Sequence, residues 1–420
     1  AVGALAVVVV AVLSASRGAL LAVLVEVALL GLLMRGGRRA VAVLVAAVVA
    51  VAALALAVPA TRNRVLGTSP LAGHTLTGRE LLWRETAALD ASHLGLGVGP
   101  SNFKSAIVAE HTREWQSKVG PQDPPDSPHS LPLQALSAGG IPLLTLCLLL
   151  FGMVARAGWR RCRESLDVNI PIAAGAAISI TGYVIAGLVG LTSPGPLLLA
   201  SALGGAVVSE AWPAKAPDRA AWMAVPMSVL AVVFALAAIA EIPLRHAVLD
   251  VARGNNQAAD RAFAAARDLR PWDVDLPDVA AHAFVAQGLA DGDATAITEA
   301  GRWLGRVPHE LRKDEQVELD TASFDEARGQ YAAAESVLTR VLADDRDNPA
   351  VLLQRGVVEA EAQSLPAAER DFRAAASIAP NDPGPWTDLS ALYTEEHRTV
   401  EAAAAQAHAD RLTSVPAPTR

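Results

Sequence analysis

The sequence predicts an all-α protein in two parts: a polytopic helical membrane domain followed by an α-solenoid. Three observations carry this. Long runs of Ala, Val and Leu recur up to about Ile242, and hydrophobic residues make up 52% of the chain against 19% charged. Clusters of arginine separate those runs, as in the loops of membrane proteins. After Arg245 the chain turns to Ala-rich amphipathic helix with a 34-residue internal period. A length of 420 residues suits two or three domains.

A helical span needs about 20 apolar residues. The candidates are residues 1–13, 18–34, 40–59, 141–156, 170–191, 195–211 and 222–242, and Leu131 to Ala138 lengthen the fourth. The chain opens inside an apolar run without Met, basic n-region or cleavage site, so further helices are expected ahead of residue 1. Arg35, Arg38 and Arg39 form one short basic loop, and Arg156, Arg160, Arg161 and Arg163 another. Such loops stay cytoplasmic. With both inside a cytoplasmic membrane, residues 61–140 fall outside, and so does the C-terminal domain if 195–211 is a span. The resulting division is helices 1–60, a polar loop 61–140, helices 141–242, a repeat domain 246–415 and a disordered tail 416–420.

The net charge of −8 lies largely in the C-terminal half and argues against nucleic acid as a partner. Cys147 and Cys162 have neither disulfide nor metal spacing. No nucleophile triad, HExxH helix or P-loop occurs.

The polar loop holds the chemistry-bearing residues. Thr77 to Leu89 has helical spacing, with Leu82, Thr86 and Leu89 on one face and Gly78 as an opening turn. Arg79 lies in its first turn and Trp83 one turn later. Tryptophan suits a membrane interface, and the planar fork of arginine suits a phosphate at that level. Arg62, Arg64 and Arg84 add to the basic character. Interfacial anchoring is the competing reading of these arginines. Gly95, Gly97 and Gly99 predict a tight turn, outside any dinucleotide-binding context. The stretch Val119–Pro128, with Pro121, Pro124, Pro125 and Pro128, excludes helix and central strand. It leads to His129, at the mouth of the next span, where a neutral imidazole can accept a hydroxyl proton.

These residues carry a resemblance. Gly78-Arg79…Trp83, then Gly95 to Phe103, then His129-Ser130 ahead of Leu133, Leu136 and Gly139-Gly140, resemble in order, spacing and topology the O-antigen ligase/polymerase family over roughly residues 40–160. The resemblance implies an all-helical membrane glycosyltransferase. It would move a glycan from a polyprenyl-diphosphate donor to an acceptor hydroxyl of a glycan, lipid or protein, outside the cytoplasmic membrane. It implies His129 as base and Arg79 on the donor diphosphate, with Arg84 adjacent but at no clear motif position, and Trp83, Gly97, Gly99 and Ser130 in support, with no metal and no cofactor. Two features depart from the pattern. Ser130 stands where the family usually has Asn, and the arginines of an earlier loop lie outside this sequence.

In the C-terminal part, Ala334-Glu335 falls on Ala368-Glu369 at an offset of 34 residues, Leu338 on Phe372, Asn348-Pro349 on Asp382-Pro383, and Leu352 on Trp386. This resembles tetratricopeptide repeats, clearest from Gly329 onward, and implies a concave surface for a protein partner. A membrane scaffold that recruits envelope proteins through these repeats is the alternative to the enzyme. A transporter is the third reading, weakened because Glu26 is the one charge well inside a span.

Overall fold

The computed structural model describes residues 17–33, 37–65, 70–120, 125–164, 172–188, 194–211 and 220–414. The first candidate span, Pro121 to Pro124 and the tail 416–420 lie outside them. All regular structure among the described residues is helical, as expected. The chain forms two compact units, residues 1–215 and 216–415.

In the first unit, α1 (Arg17–Leu33), α2 (Gly37–Ala57) and the short α3 (Pro59–Val65) precede α4 (Pro70–Ser92). Two short helices follow in the loop, α5 (Phe103–Ile107) and α6 (Arg113–Lys118). The unit ends with α7 (Leu131–Glu164), α8 (Ile172–Gly187) and α9 (Pro194–Ala211). Helices α7, α8 and α9 meet at buried Ala157, Ala177 and Val207, small and β-branched residues that let helices approach closely. Helices α1 and α8 pack together, and Gly182 of α8 leaves the space that the Glu26 side chain of α1 occupies.

Segment Leu131–Arg160 of α7 is long and apolar enough to cross a bilayer. Its outward positions are Ile141, Leu146, Leu148, Leu149 and Leu150, all more than half exposed. A contiguous surface of that composition marks a membrane or protein contact. The helix is broken near its start. Gly139 (φ −154°, ψ 16°) and Gly140 (φ 64°, ψ −162°) leave helical geometry, and Pro142 follows. Leu131 to Ala138 is therefore a separate short helix ahead of the break.

The second unit begins with α10 (Ala220–Val251), whose segment Ala231–Val251 is likewise long and apolar enough to span. It continues as antiparallel pairs. Helix α10 packs with α11 (Asn256–Leu269), α12 (Leu276–Asp291) with α13 (Ala294–Leu304), and α14 (Glu315–Ala327) with α15 (Tyr331–Asp344). Then α16 (Pro349–Glu361) packs with α17 (Leu365–Ile378), and α18 (Gly384–Glu395) with α19 (Thr399–Ser414). Helices α15 and α17 start and end at positions 34 residues apart, the period read from the sequence. The matched residues do matched work: Ala334 and Ala368 are fully buried, as are Leu338 and Phe372.

Helices α16 and α17 share a buried charge cluster. Arg355 donates to Asp371 through Nε (2.6 Å) and Nη2 (3.0 Å). Glu359, one turn along α16, lies 3.9 Å from the same guanidinium with its Oε2 buried and unpartnered. Burial first, and then the Asp371 carboxylate, push the Glu359 carboxyl up to about 7. Its folded value lies above the ordinary 4.5, so the folded state holds the proton longer than the unfolded chain does. The associated stability is complete below that ordinary value and is lost as pH rises through the folded one. Glu359→Gln should match wild type near pH 4.5 and exceed it by on the order of 2 kcal/mol at pH 8. Scanning calorimetry of the full chain at both pH values measures this; a gap that does not change with pH would assign the effect to packing instead.

Candidate active site

Helix α4 organises the site. Its inner face carries Leu81, Leu82, Thr86 and Leu89, all buried, and packs on Phe103, Ile107 and Trp115 of the loop. The expected face, Leu82, Thr86 and Leu89, is the one that is buried. Gly78 does not open the helix, however; it lies inside it, because the helix starts at Pro70. Proline there sets φ for a first turn and loses no hydrogen bond.

Arg79 and Trp83, one turn apart, face the segment that carries His129. The Trp83 indole N–H donates to the Pro128 carbonyl at 2.9 Å, tying residues 45 positions apart in the chain. His129 itself is in the left-handed region (φ 50°), a conformation held by its surroundings. Its Nδ1 lies 3.3 Å from Ser127 Oγ. Burial holds the imidazole below its usual range, the Arg79 charge lowers it further, and Asp126 opposes them. Arg79 and His129 are thus close enough to act on each other electrostatically. Ser130 is buried at the N-cap position of α7, and its carbonyl accepts from the Gln134 N–H at 2.8 Å, closing the first turn.

Arg84 has carboxylate partners. It pairs with Glu80 and Glu114 at 3.3 Å each, with most of its side chain in solvent. Exposed pairs of this kind are worth roughly 0–1 kcal/mol, so these partners are cheaply exchanged for a stronger anion.

The glycine turn docks onto the break in α7. The Val98 N–H donates to the Ser137 carbonyl at 2.7 Å, and the Ile141 N–H donates to the Leu94 carbonyl at 2.9 Å. These bonds occupy backbone groups that the broken helix leaves open. The approach is backbone to backbone. A Cβ on Gly97 (φ 66°) would lie 2.7 Å from the Leu136 carbonyl, and one on Gly140 would lie 2.5 Å from that of Gly95. Gly99 (φ 98°) turns the chain so that the Asn102 side chain donates to the Val98 carbonyl at 3.0 Å.

Several site residues escaped the sequence reading. Asp90 of α4 accepts from the Ser137 hydroxyl at 2.7 Å beneath the helix break, and burial raises its carboxyl against that hydrogen bond and against His93. Glu85 accepts from the Thr112 N–H (2.9 Å) and Oγ1 (2.8 Å) and meets His111 Nδ1 at 2.9 Å. The His111 ring stacks on Trp115 at 4.8 Å. Both acids sit within an apolar stripe of α4, and a carboxylate there signals a buried partner. Glu85→Ala should cost about 1.5–3 kcal/mol by stranding the Thr112 and His111 groups. Limited proteolysis between Ser92 and Gly120 would report it as faster cleavage; unchanged protection would show that the carboxylate is dispensable.

Residues 2–148 match the family model described as O-antigen ligase. The match contains Arg79, Trp83, the glycine turn and His129, and supports a membrane ligase or glycosyltransferase-like function for this part of the chain. No curated protein matches. Among solved structures, a chain described as a mutant of MamA is 18% identical; the overlap covers 41% of this chain and 96% of that one, with a TM-score of 0.31.

Proposed function

We propose that the protein transfers a glycan from a polyprenyl-diphosphate donor to an acceptor hydroxyl at the outer face of the cytoplasmic membrane. The observation that carries this reading is the convergence of Arg79 and His129, fixed by the Trp83–Pro128 hydrogen bond, within the segment that matches O-antigen ligase. Ser127 at Nδ1 leaves Nε2 as the nitrogen for the acceptor. The acceptor oxygen attacks the anomeric carbon and its proton passes to His129 Nε2. The bond from that carbon to the phosphate oxygen breaks, and the diphosphate leaves with the electron pair. Arg79 offsets the charge that develops there, often the largest contribution to such catalysis. Arg84 joins it by exchanging its carboxylate partners for the diphosphate.

In this reading the helices form a multi-pass anchor, and residues 61–140 and the repeat domain are extracytoplasmic. The repeats are of tetratricopeptide type and dock a protein partner. A cleft of about 880 Å³ between α12, α13 and α14, lined by Ile297, Phe324, Arg302 and Arg328 among others, supports that role.

The test uses membranes carrying the protein, a polyprenyl-diphosphate-linked glycan donor, and wild type beside His129→Ala. Transfer in wild type alone is expected. Equal transfer in both would remove His129 from the mechanism. Absence of transfer from both would favour the scaffold, recruiting envelope proteins through the repeat cleft.

A further inference from the structure

We infer that the turn between α11 and α12, Pro271 to Asp275, is a lipid-contacting wedge that seats the repeat unit on the membrane surface. Helix α10 has two different halves. In the first, Val229, Val232, Ile239 and Ile242 are each at least half exposed. From Leu244 to Val251 one face joins the repeat core, against Phe263, Leu276, Phe284 and Trp303. One unbroken helix therefore passes from lipid-type surface to protein core near Glu241–Arg245. The stretch 222–241 is about 30 Å of helix, the thickness of a hydrocarbon core.

Helix α11 runs back along α10 and brings its far end down to that boundary. Arg270, at the C-cap of α11, is largely buried and donates from Nη1 to Glu241 Oε1 at 2.8 Å; its Nε pairs with Asp273 at 3.0 Å. Glu241 is ten residues from the end of α10, about 15 Å back along the helix. The turn that follows Arg270 is thus at the level where α10 becomes lipid-facing. There it presents Trp272 and Val274, each about half exposed. Asp273 and Asp275 alternate with them, and Asp273 is held back by Arg270. An exposed tryptophan and valine, fixed by an ion pair at the edge of an apolar span, match the aromatic belt of a bilayer interface. The continuity of this patch with α10 selects lipid as its occupant. The inference rests on the apolar helix and not on the glycan-transfer chemistry.

The experiment reconstitutes the full chain, with Cys147 and Cys162 replaced by alanine, into phosphatidylcholine nanodiscs. Bimane is attached at Trp272→Cys, at Val274→Cys and, as a reference, at Val400→Cys. Val400 is 79% exposed in the last helix. Quenching by doxyl-labelled lipid should be about threefold or more greater at 272 and 274 than at 400, with iodide quenching in the opposite order. Iodide quenching at 272 and 274 equal to that at 400 would place the turn in water and overturn the inference. Protection from both quenchers would show a protein covering the turn and overturn lipid as its occupant. Two label sites keep the test decisive if one substitution fails to fold.

Discussion

His129→Ala should lower glycan transfer by about 10²–10⁴-fold, the usual contribution of a positioned general base. The stronger test is the pH profile of the neighbours. In the proposed mechanism transfer needs the neutral imidazole, so it should fall when pH drops below the His129 value. Burial and the Arg79 charge hold that value below 6.5, while Asp126 raises it. Arg79→Gln removes a lowering influence, so the acid limb should move to higher pH, besides the loss of diphosphate stabilisation. Asp126→Asn removes a raising influence, so the limb should move lower while maximal transfer stays near wild type. Rates of wild type and both variants from pH 5 to 8 measure this. Shifts in the same direction would exclude His129 as the titrating group.

Gly140→Ala should be the most damaging single-methyl change in the first unit. Gly140 combines φ 64° with ψ −162°, a region essentially confined to glycine, and its Cβ would press on the Gly95 carbonyl at 2.5 Å. Strain of about 1–3 kcal/mol adds to overpacking of similar size, because the obstructing atom is backbone that cannot rotate away. The expected result is release of the glycine turn from α7 and transfer reduced at least tenfold with the spans still inserted. Gly95→Ala is the control, since a Cβ there meets nothing within 4 Å. Transfer and protease sensitivity of the turn in both variants decide the matter. Equal behaviour of the two would show that the docking is incidental to activity.

Much of the architecture was legible because it is written in local periodicity. Apolar runs gave the helices α1, α2, α8 and α9 within a few residues, while α7 and α10 continue eight and nine residues past the ends expected of them, and the repeat offset reappeared in α15 and α17. The turn at Gly95 to Gly99 was readable from its composition, but not its partner. The bond from Val98 to Ser137 joins positions 39 residues apart, and no local pattern encodes it. The same limit hid the link from Trp83 to Pro128. Asp90 and Glu85 left a signal that could have been used, acids at helical spacing within a buried stripe. Helices α5 and α6 were unread: they are five and six residues long, too short for periodicity to show.

The break at Gly139–Gly140 has a mechanical consequence. A bilayer that thins or thickens forces a rigid span to tilt. In an unbroken helix that tilt would swing everything mounted on its end. Here the glycine pair redirects the chain while the loop holds both sides of the break, Ser137 through Val98 and Asp90 on one side and Ile141 through Leu94 on the other. The top of the apolar segment and the platform under His129 are thus tied to one loop, and a tilt would carry them together rather than shear His129 away from Arg79.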